Sequence, residues 1–336
     1  MKNIFKILFF AITAMFLASC NTNKYCENLK KDSDGLTVIR LLQQWFASSD
    51  FAGEIFAKEY TAKANGIKLE VIPGSEQLDA IQIVKSGEAE FGVAGADLIM
   101  LANEKGADLV VVGVVNYKTL ACFISKKEKN IISPNDMAGH KIGTLEGSAV
   151  DIIYQAMKKK FDLDIKKEDE IPAGWLLTDF IQDQYDVYPA FINNEPVILK
   201  HQDIDVNIIQ PSLYGVDFIG TVYFCKRELV ECCPKIVQNF VNAISEGWEM
   251  TMNDPKKAVE LLKKYDENID EEKEIESLLT GLDYYKGEDG KILYAKEETW
   301  NTMAEQLQQM GLLKSFEYKS TVENKFVDSY LSKAKK

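Results

Sequence analysis

The sequence predicts an α/β protein of about two domains, and three observations carry that. At 336 residues the chain exceeds one average domain. Short apolar runs, such as IKLEVI and LVVVGVV, alternate with stretches of helical periodicity. Residues 77–104, QLDAIQIVKSGEAEFGVAGADLIMLANE, show the alternation in full. There Leu78, Ile81, Ile83 and Val84 approximate one apolar helix face, and Gly87 is a natural stop. A short strand over 91–93 ends in Ala94-Gly95-Ala96, and Asp97 is placed to cap the next helix. A strand, a turn of tiny residues and a helix N-terminus leave backbone N–H groups unpaired and unblocked. Ala94, Gly95 and Ala96 are therefore candidates for a pocket floor, although ordinary α/β crossovers use the same turn.

Composition narrows the function. The chain is 46% hydrophobic and 27% charged, with a formal net charge of −13. Such a balance fits a globular protein and argues against nucleic-acid binding, which requires a basic patch. An anionic ligand remains compatible, because distant charges are screened over about 8–10 Å. His140 and His201 are too few and too scattered for a histidine metal site or an obvious base. No metal, cofactor or catalytic residue is called for. Cys26, Cys122, Cys225, Cys232 and Cys233 match no metal-ligand spacing, and their pairing stays open.

The start of the chain, MKNIFKILFFAITAMFLASC, has basic Lys2 and Lys6, then an apolar core too short to span a membrane. Leu17-Ala18-Ser19-Cys20 matches the bacterial lipobox, so residues 1–19 are expected to be a signal peptide and Cys20 the lipidated first residue. Residues 20–35 then form a polar tether. The folded part would lie outside the cytoplasm, held to a bacterial membrane by its lipid.

Residues 36–42 (LTVIRLL) are the first strand. Gln44, Trp45 and the small-residue turn around Ser49 follow, leading into a helix through residue 64. A polar amide, an aromatic ring and a small turn at the C-terminal end of a strand suit a ligand in an open α/β sheet. Core packing of Trp45 is the alternative. Residues 67–72 alternate apolar and polar and end at Pro73-Gly74-Ser75; residues 109–115 and 120–124 are buried strands. At residues 125–130 the composition turns charged. A short strand at 141–144 ends near Thr144, and Gly147-Ser148 opens a helix to about 161, a ligand turn or a plain capped helix. Residues 165–171 are expected as a strand region, followed by Gly174-Trp175, where a ligand aromatic could sit. Residues 187–191 and 206–210 are further strands. The helix over 234–253 is amphipathic, with Val237, Phe240, Val241, Ile244 and Trp248 on one side; the acidic stretch 267–276 reads as a solvated helical face.

SGEAEFGVAGAD resembles the signature of solute-binding proteins of the nitrate, sulfonate, taurine and thiamine-precursor group. Further motifs follow in that family's order across residues 37–265: Pro73-Gly74-Ser75, the turn with Thr144, Gly147 and Ser148, YDVYPAFINNEP and PKIVQNFVNAISEGW. The resemblance implies a type II periplasmic-binding-protein fold, two α/β lobes with a ligand cleft between them. It implies lobe one over 36–123 and 220–336, and lobe two over 124–219. Gly74 and Ser75 would sit at the cleft, and Asn194 and Glu195 would read the edge of an aromatic ring. Trp45, Tyr188 and Trp175 are the candidates to sandwich it. Phe51 stands where the thiamine-precursor branch often has a His, and the cysteine-rich motif of the related pyrimidine synthases is missing.

The function implied is a binding protein for a small aromatic heterocycle, a thiamine pyrimidine precursor first. It would hand this ligand to an ABC permease with its own ATPase, since this chain has no P-loop match. A riboflavin-like compound, an alkanesulfonate, taurine or nitrate, and a pyrimidine-synthase-like enzyme are the alternatives. A ligand of about ten heavy atoms held near 1 µM needs about −8 kcal/mol. At a ceiling of about −1.5 kcal/mol per atom, nearly all of it must be buried, which a closing clamp achieves and an open groove does not.

Overall fold

Ten strands form two sheets of five in the computed structural model, which describes residues 22–287 and 289–334. The expected signal peptide and Cys20 lie outside the described residues. The chain opens with α1 (Thr22–Glu27), β1 (Thr37–Leu42), α2 (Ala52–Phe56), β2 (Ile67–Ile72), α3 (Ala80–Ser86), β3 (Phe91–Gly95), α4 (Ala96–Glu104) and β4 (Leu109–Val114). It crosses into β5 (Ala121–Lys126), β6 (Ile142–Thr144), α5 (Ala149–Phe161), β7 (Glu170–Pro172), α6 (Thr178–Ile181), β8 (Val187–Phe191), α7 (Glu195–Lys200) and β9 (Val206–Ile209). It returns in β10 (Thr221–Lys226) and ends in α8 (Arg227–Cys232), α9 (Pro234–Asn253), α10 (Pro255–Leu262), α11 (Glu271–Gly281), α12 (Glu297–Gln309), α13 (Tyr318–Thr321) and α14 (Lys325–Ala334).

The strand orders are β2-β1-β3-β10-β4 and β7-β6-β8-β5-β9. In each sheet three strands run parallel, and the strand beside them is antiparallel to both of its neighbours. Both faces of each sheet are covered. Along β3, Phe91 and Val93 pack with Phe240 and Ile244 of α9 on one side, while Ala94 joins Val150 and Ile153 of α5 in the cluster between the sheets. That alternation follows the period-2 pleat. On the far face of the second sheet Cys122, Ile124 and Tyr188 meet Phe180 and Leu199.

Several expectations change. The chain crosses between sheets over residues 115–120, not at 124, because β5 pairs with β8 and β9 of the second sheet. The charged run at 125–130 marks the end of β5, not the crossing. There the two passing segments are tied by Thr119 N donating to Phe218 O (2.7 Å) and Gly220 N to Asn116 O (3.0 Å). The strand expected over 165–171 shrinks to β7, since its run of charged residues cannot be buried. The stretch beyond the expected anchor is no free tether: Cys26 is disulfide-bonded to Cys233, and Val38 N donates to Lys30 O at 2.8 Å. Asp79, not Asp97, caps a helix with its side chain: it accepts from the amides of Ile81 and Gln82. Gly87 ends that helix at φ 83°, a left-handed turn that suits glycine.

Candidate ligand-binding site

Two loops build the first-sheet side of the seam between the sheets. After β1 the chain runs Gln43-Gln44-Trp45-Phe46, and after β2 it runs Pro73-Gly74-Ser75. The loops pack backbone on backbone: Gly74 N donates to Trp45 O at 2.8 Å. A Cβ on Gly74 would lie 2.4 Å from Gln43 O, so only glycine fits. Gly74 thus sets Trp45 in place, and Ser75 turns the chain, its Oγ accepting from Gln77 N at 3.3 Å. Beneath the loop, buried Gln43 donates Nε2 to Glu54 at 2.8 Å, and burial pushes the Glu54 carboxyl up to about 8.

Trp45 reaches across the seam. Its ring lies 5.2 Å from Trp175 of the second-sheet side, and Trp175 lies 6.3 Å from Phe191, nearly parallel at 16°. Phe46 stands edge-on to Trp45 at 5.4 Å and is 52% exposed. The run mixes residues of both sides, and apolar rings in contact hold such a seam without directed bonds. Gln44 Oε1 is buried beside it without a hydrogen-bond partner.

Behind Phe191 sits Glu195, 4% exposed. Its Oε2 accepts from Phe191 N at 2.7 Å and its Oε1 from Asn194 Nδ2 at 3.0 Å. Burial pushes its carboxyl up to about 7, against those hydrogen bonds, which favour the charged form. Asn194 is the residue before α7; ring contacts link Trp45, Trp175 and Phe191, and Glu195 is joined to that run through the Phe191 amide.

Tyr188 does not join them. It is fully buried, stacked on Tyr185 at 5.7 Å, and donates to Gly174 O at 2.9 Å. Strand alternation turns Tyr188 to the far face of the second sheet, whereas Phe191 falls on the seam. Phe191, not Tyr188, is the β8 ring on the seam side, which period 2 along VYPAF could have separated.

The helix starts at the other edge are also less open than expected. Ala96 N donates to Gly220 O at 3.0 Å, and Leu98 N to Asp97 Oδ1 at 2.9 Å. Gly95 precedes α4, and Asp97 folds into its first turn, buried, its carboxyl pushed by burial up to about 6. Opposite, Ser148 caps α5 by accepting from Asp151 N at 3.2 Å, and Asp151 also accepts from Gly147 N at 3.2 Å. Thr144 donates to Ile171 O at 3.4 Å. A Cβ on Gly95 would lie 3.5 Å from Ala149 Cβ, so Ala94, Gly95 and Ala96 meet the α5 start directly across the seam.

Asp50, Asn193 and Glu274, not singled out from the sequence, form a polar edge with the expected Ser49. Asn193 Nδ2 donates to Asp50 Oδ1 at 2.6 Å, and Ser49 N donates to Glu274 Oε2 at 2.8 Å. Burial raises the Asp50 carboxyl above its ordinary range. Residues 267, 268 and 270–272 of the acidic stretch are exposed as expected, but Glu274 within it is buried and accepts from Ser49 N. Asp50 and Asn193 are 143 residues apart, and no local pattern links them.

This architecture, with twin sheets of like order joined by two crossings, is the periplasmic-binding-protein fold. The aliphatic sulphonate-binding protein SsuA of Escherichia coli superposes at a TM-score of 0.64 and 18% identity, covering 83% of this chain and 89% of that one. The chain belongs to the NMT1/THI5-like family, matched over residues 49–258. It is similar to the formylaminopyrimidine-binding protein of Halalkalibacterium halodurans, 25% identical over 305 residues, 88% of this chain and 91% of that protein. It is also similar to the 4-amino-5-hydroxymethyl-2-methylpyrimidine phosphate synthase of Legionella pneumophila, 24% identical over 229 residues, 67% of this chain and 72% of that enzyme.

Proposed function

We propose that the protein is an extracytoplasmic lipoprotein that captures a small aminated aromatic heterocycle, a thiamine pyrimidine precursor first, for an ABC importer. The observation that carries this is the run of Trp45, Trp175 and Phe191 across the seam, backed by the buried Glu195 carboxyl. The formylaminopyrimidine-binding relative, aligned over most of both chains, supports the same ligand class. A ring between Trp45 and Trp175 needs two van der Waals layers, each about 3.5 Å. At 5.2 Å and a 56° tilt the two rings leave no such gap, so the sides part to load and close on the guest. Glu195 and Asn194 then read its edge; an ionised carboxylate accepts from an amino N–H.

Acidic groups count against a sulfonate or nitrate. Asp97 and Asp151 already accept from amides at the facing helix starts, and Glu195 lies behind the rings. An added anion would meet these carboxylates in a poorly solvated seam. Binding is also the better reading than synthesis. The histidines are engaged with carboxylates, His140 with Asp186 at 3.4 Å and His201 with Glu276 at 2.9 Å. The Cys26–Cys233 disulfide suits an oxidising compartment, and the expected lipid on Cys20 would tether the protein beside its permease and ATPase.

Calorimetry with a panel decides the ligand class: formylaminopyrimidine, riboflavin, taurine and nitrate. Saturable heat with formylaminopyrimidine alone is expected, with Kd near micromolar. Heat with taurine or nitrate and none with a pyrimidine would reverse the assignment. Product formation by the purified protein would restore the enzyme reading. Mass spectrometry of the mature chain is expected to find a lipidated Cys20 at its start; retention of Met1 would remove the anchor.

A further inference from the structure

The seam is also bridged by residues 271–285, formed by α11 and the turn after it. On the first-sheet side, Glu274 accepts from Ser49 N at 2.8 Å, and Tyr285 donates to Asp50 at 3.2 Å. The Tyr285 ring also packs on buried Trp248 at 4.4 Å, which roots the stretch in the first-sheet core. On the second-sheet side, Ser277 donates to the Asn193 carbonyl, and Glu276 takes Lys200 Nζ at 2.5 Å. Gln210 Nε2 donates to Tyr284 at 2.5 Å. The same stretch therefore holds both sides, next to the direct Asn193–Asp50 bond.

The two sets of bonds differ in kind. The first-sheet contacts include core packing, which gives way only with the core itself. The second-sheet contacts are the buried Ser277–Asn193 bond, the Gln210–Tyr284 bond and the more exposed Glu276 contacts to Lys200 and His201, each separable by a small shift that lets water in. When the sides part, the second set is the one to break.

We propose that residues 271–285 are a strap that keeps the two sides closed before any solute arrives, releasing Asn193 and Lys200 when the protein opens. The proposal rests on the clamp reading but not on which solute is captured. Removing the releasable bonds shifts the closed–open balance, and the affinity of a clamp follows the fraction of binding-competent protein.

Small-angle scattering on the full folded chain without solute tests this. The wild type is expected to scatter as the closed structure. The Ser277→Ala, Glu276→Gln double variant is expected to gain radius of gyration while far-UV circular dichroism and cooperative melting stay unchanged. The surface variant Glu276→Gln alone, which leaves the core untouched, is expected to shift the same way by less. A wild type already open, or folded variants that scatter like a closed wild type, would overturn the strap. No solute is present in this measurement, so a negative calorimetric panel leaves it standing, and a failed strap leaves the panel to be read on its own.

Discussion

The seam has two edges that close by different physics. At one edge Trp175 packs tilted against Trp45 and near-parallel to Phe191, and the buried Gln44 Oε1 has no hydrogen-bond partner. At the other edge Asp50, Asn193, Ser277 and Glu274 meet through directed hydrogen bonds. Apolar burial is non-directional, so a flat guest can replace one ring as the partner of the other with little loss. Directed bonds between buried groups offer no such exchange, because each parted donor or acceptor must find another partner. On the proposed reading, the aromatic edge is where a guest enters and the polar edge is where the two sides are held.

The largest test of that contrast is Trp175→Ala. It removes a central ring, and formylaminopyrimidine affinity by calorimetry is expected to fall at least 100-fold, about 3 kcal/mol. A loss below threefold would put the guest elsewhere. Next is Gly74→Ala, whose new Cβ would press on Gln43 O and displace the Trp45 loop. We expect a cost of ~2 kcal/mol in thermal unfolding together with weaker binding. Unchanged values would mean that the loop yields freely and does not fix Trp45.

Glu195 sharpens the comparison through pH. With its carboxyl pushed up to about 7, it is protonated below that value and ionised above it. If it accepts from an amino group, wild-type affinity rises as pH climbs through about 7. Glu195→Gln should bind roughly tenfold more weakly at pH 8 and lose the slope between pH 6 and 8. For folding the sign is opposite. A carboxyl raised from 4.5 stabilises most below about 4.5, and that contribution is lost as pH rises through about 7. Thermal melts should therefore show Glu195→Gln gaining on the wild type as pH rises. The smallest effect is expected at Gly147, which is left-handed at φ 79° with open space around its would-be Cβ. Gly147→Ala should cost only about 1 kcal/mol of stability and leave the aromatic edge unaffected.

Much of the fold is legible locally. The strand at 67–72 alternates, Gly87 stops its helix, and the apolar spacing of Val237, Phe240, Val241, Ile244 and Trp248 marks α9 at its observed bounds. The contact of Trp45 with Trp175 and the burial of Glu195 involve residues that stand out in the sequence, rings and a carboxyl beside turns. What escapes is whatever depends on distant pairing. The crossing at 115–120 is set by which sheet β5 joins, and two successive apolar strands look alike in sequence. Tyr188 and Phe191 are both aromatic and close together, and only the pleat separates their faces. Cys26 and Cys233 are 207 residues apart, and spacing says nothing of their bond. Glu271 and Glu272 at the start of α11 are exposed, and nothing local sets the buried Glu274 apart from them until Ser49 is seen to donate to it.

Tryptophan fluorescence tests the central claim most directly. The chain has four tryptophans, and Trp248 and Trp300 are buried in the core, which leaves Trp45 and Trp175 at the seam. In a Trp248→Phe, Trp300→Phe background, formylaminopyrimidine is expected to quench the remaining emission saturably, while taurine leaves it unchanged. Quenching by taurine, or no response to any ring compound that calorimetry shows to bind, would contradict a guest held between Trp45 and Trp175.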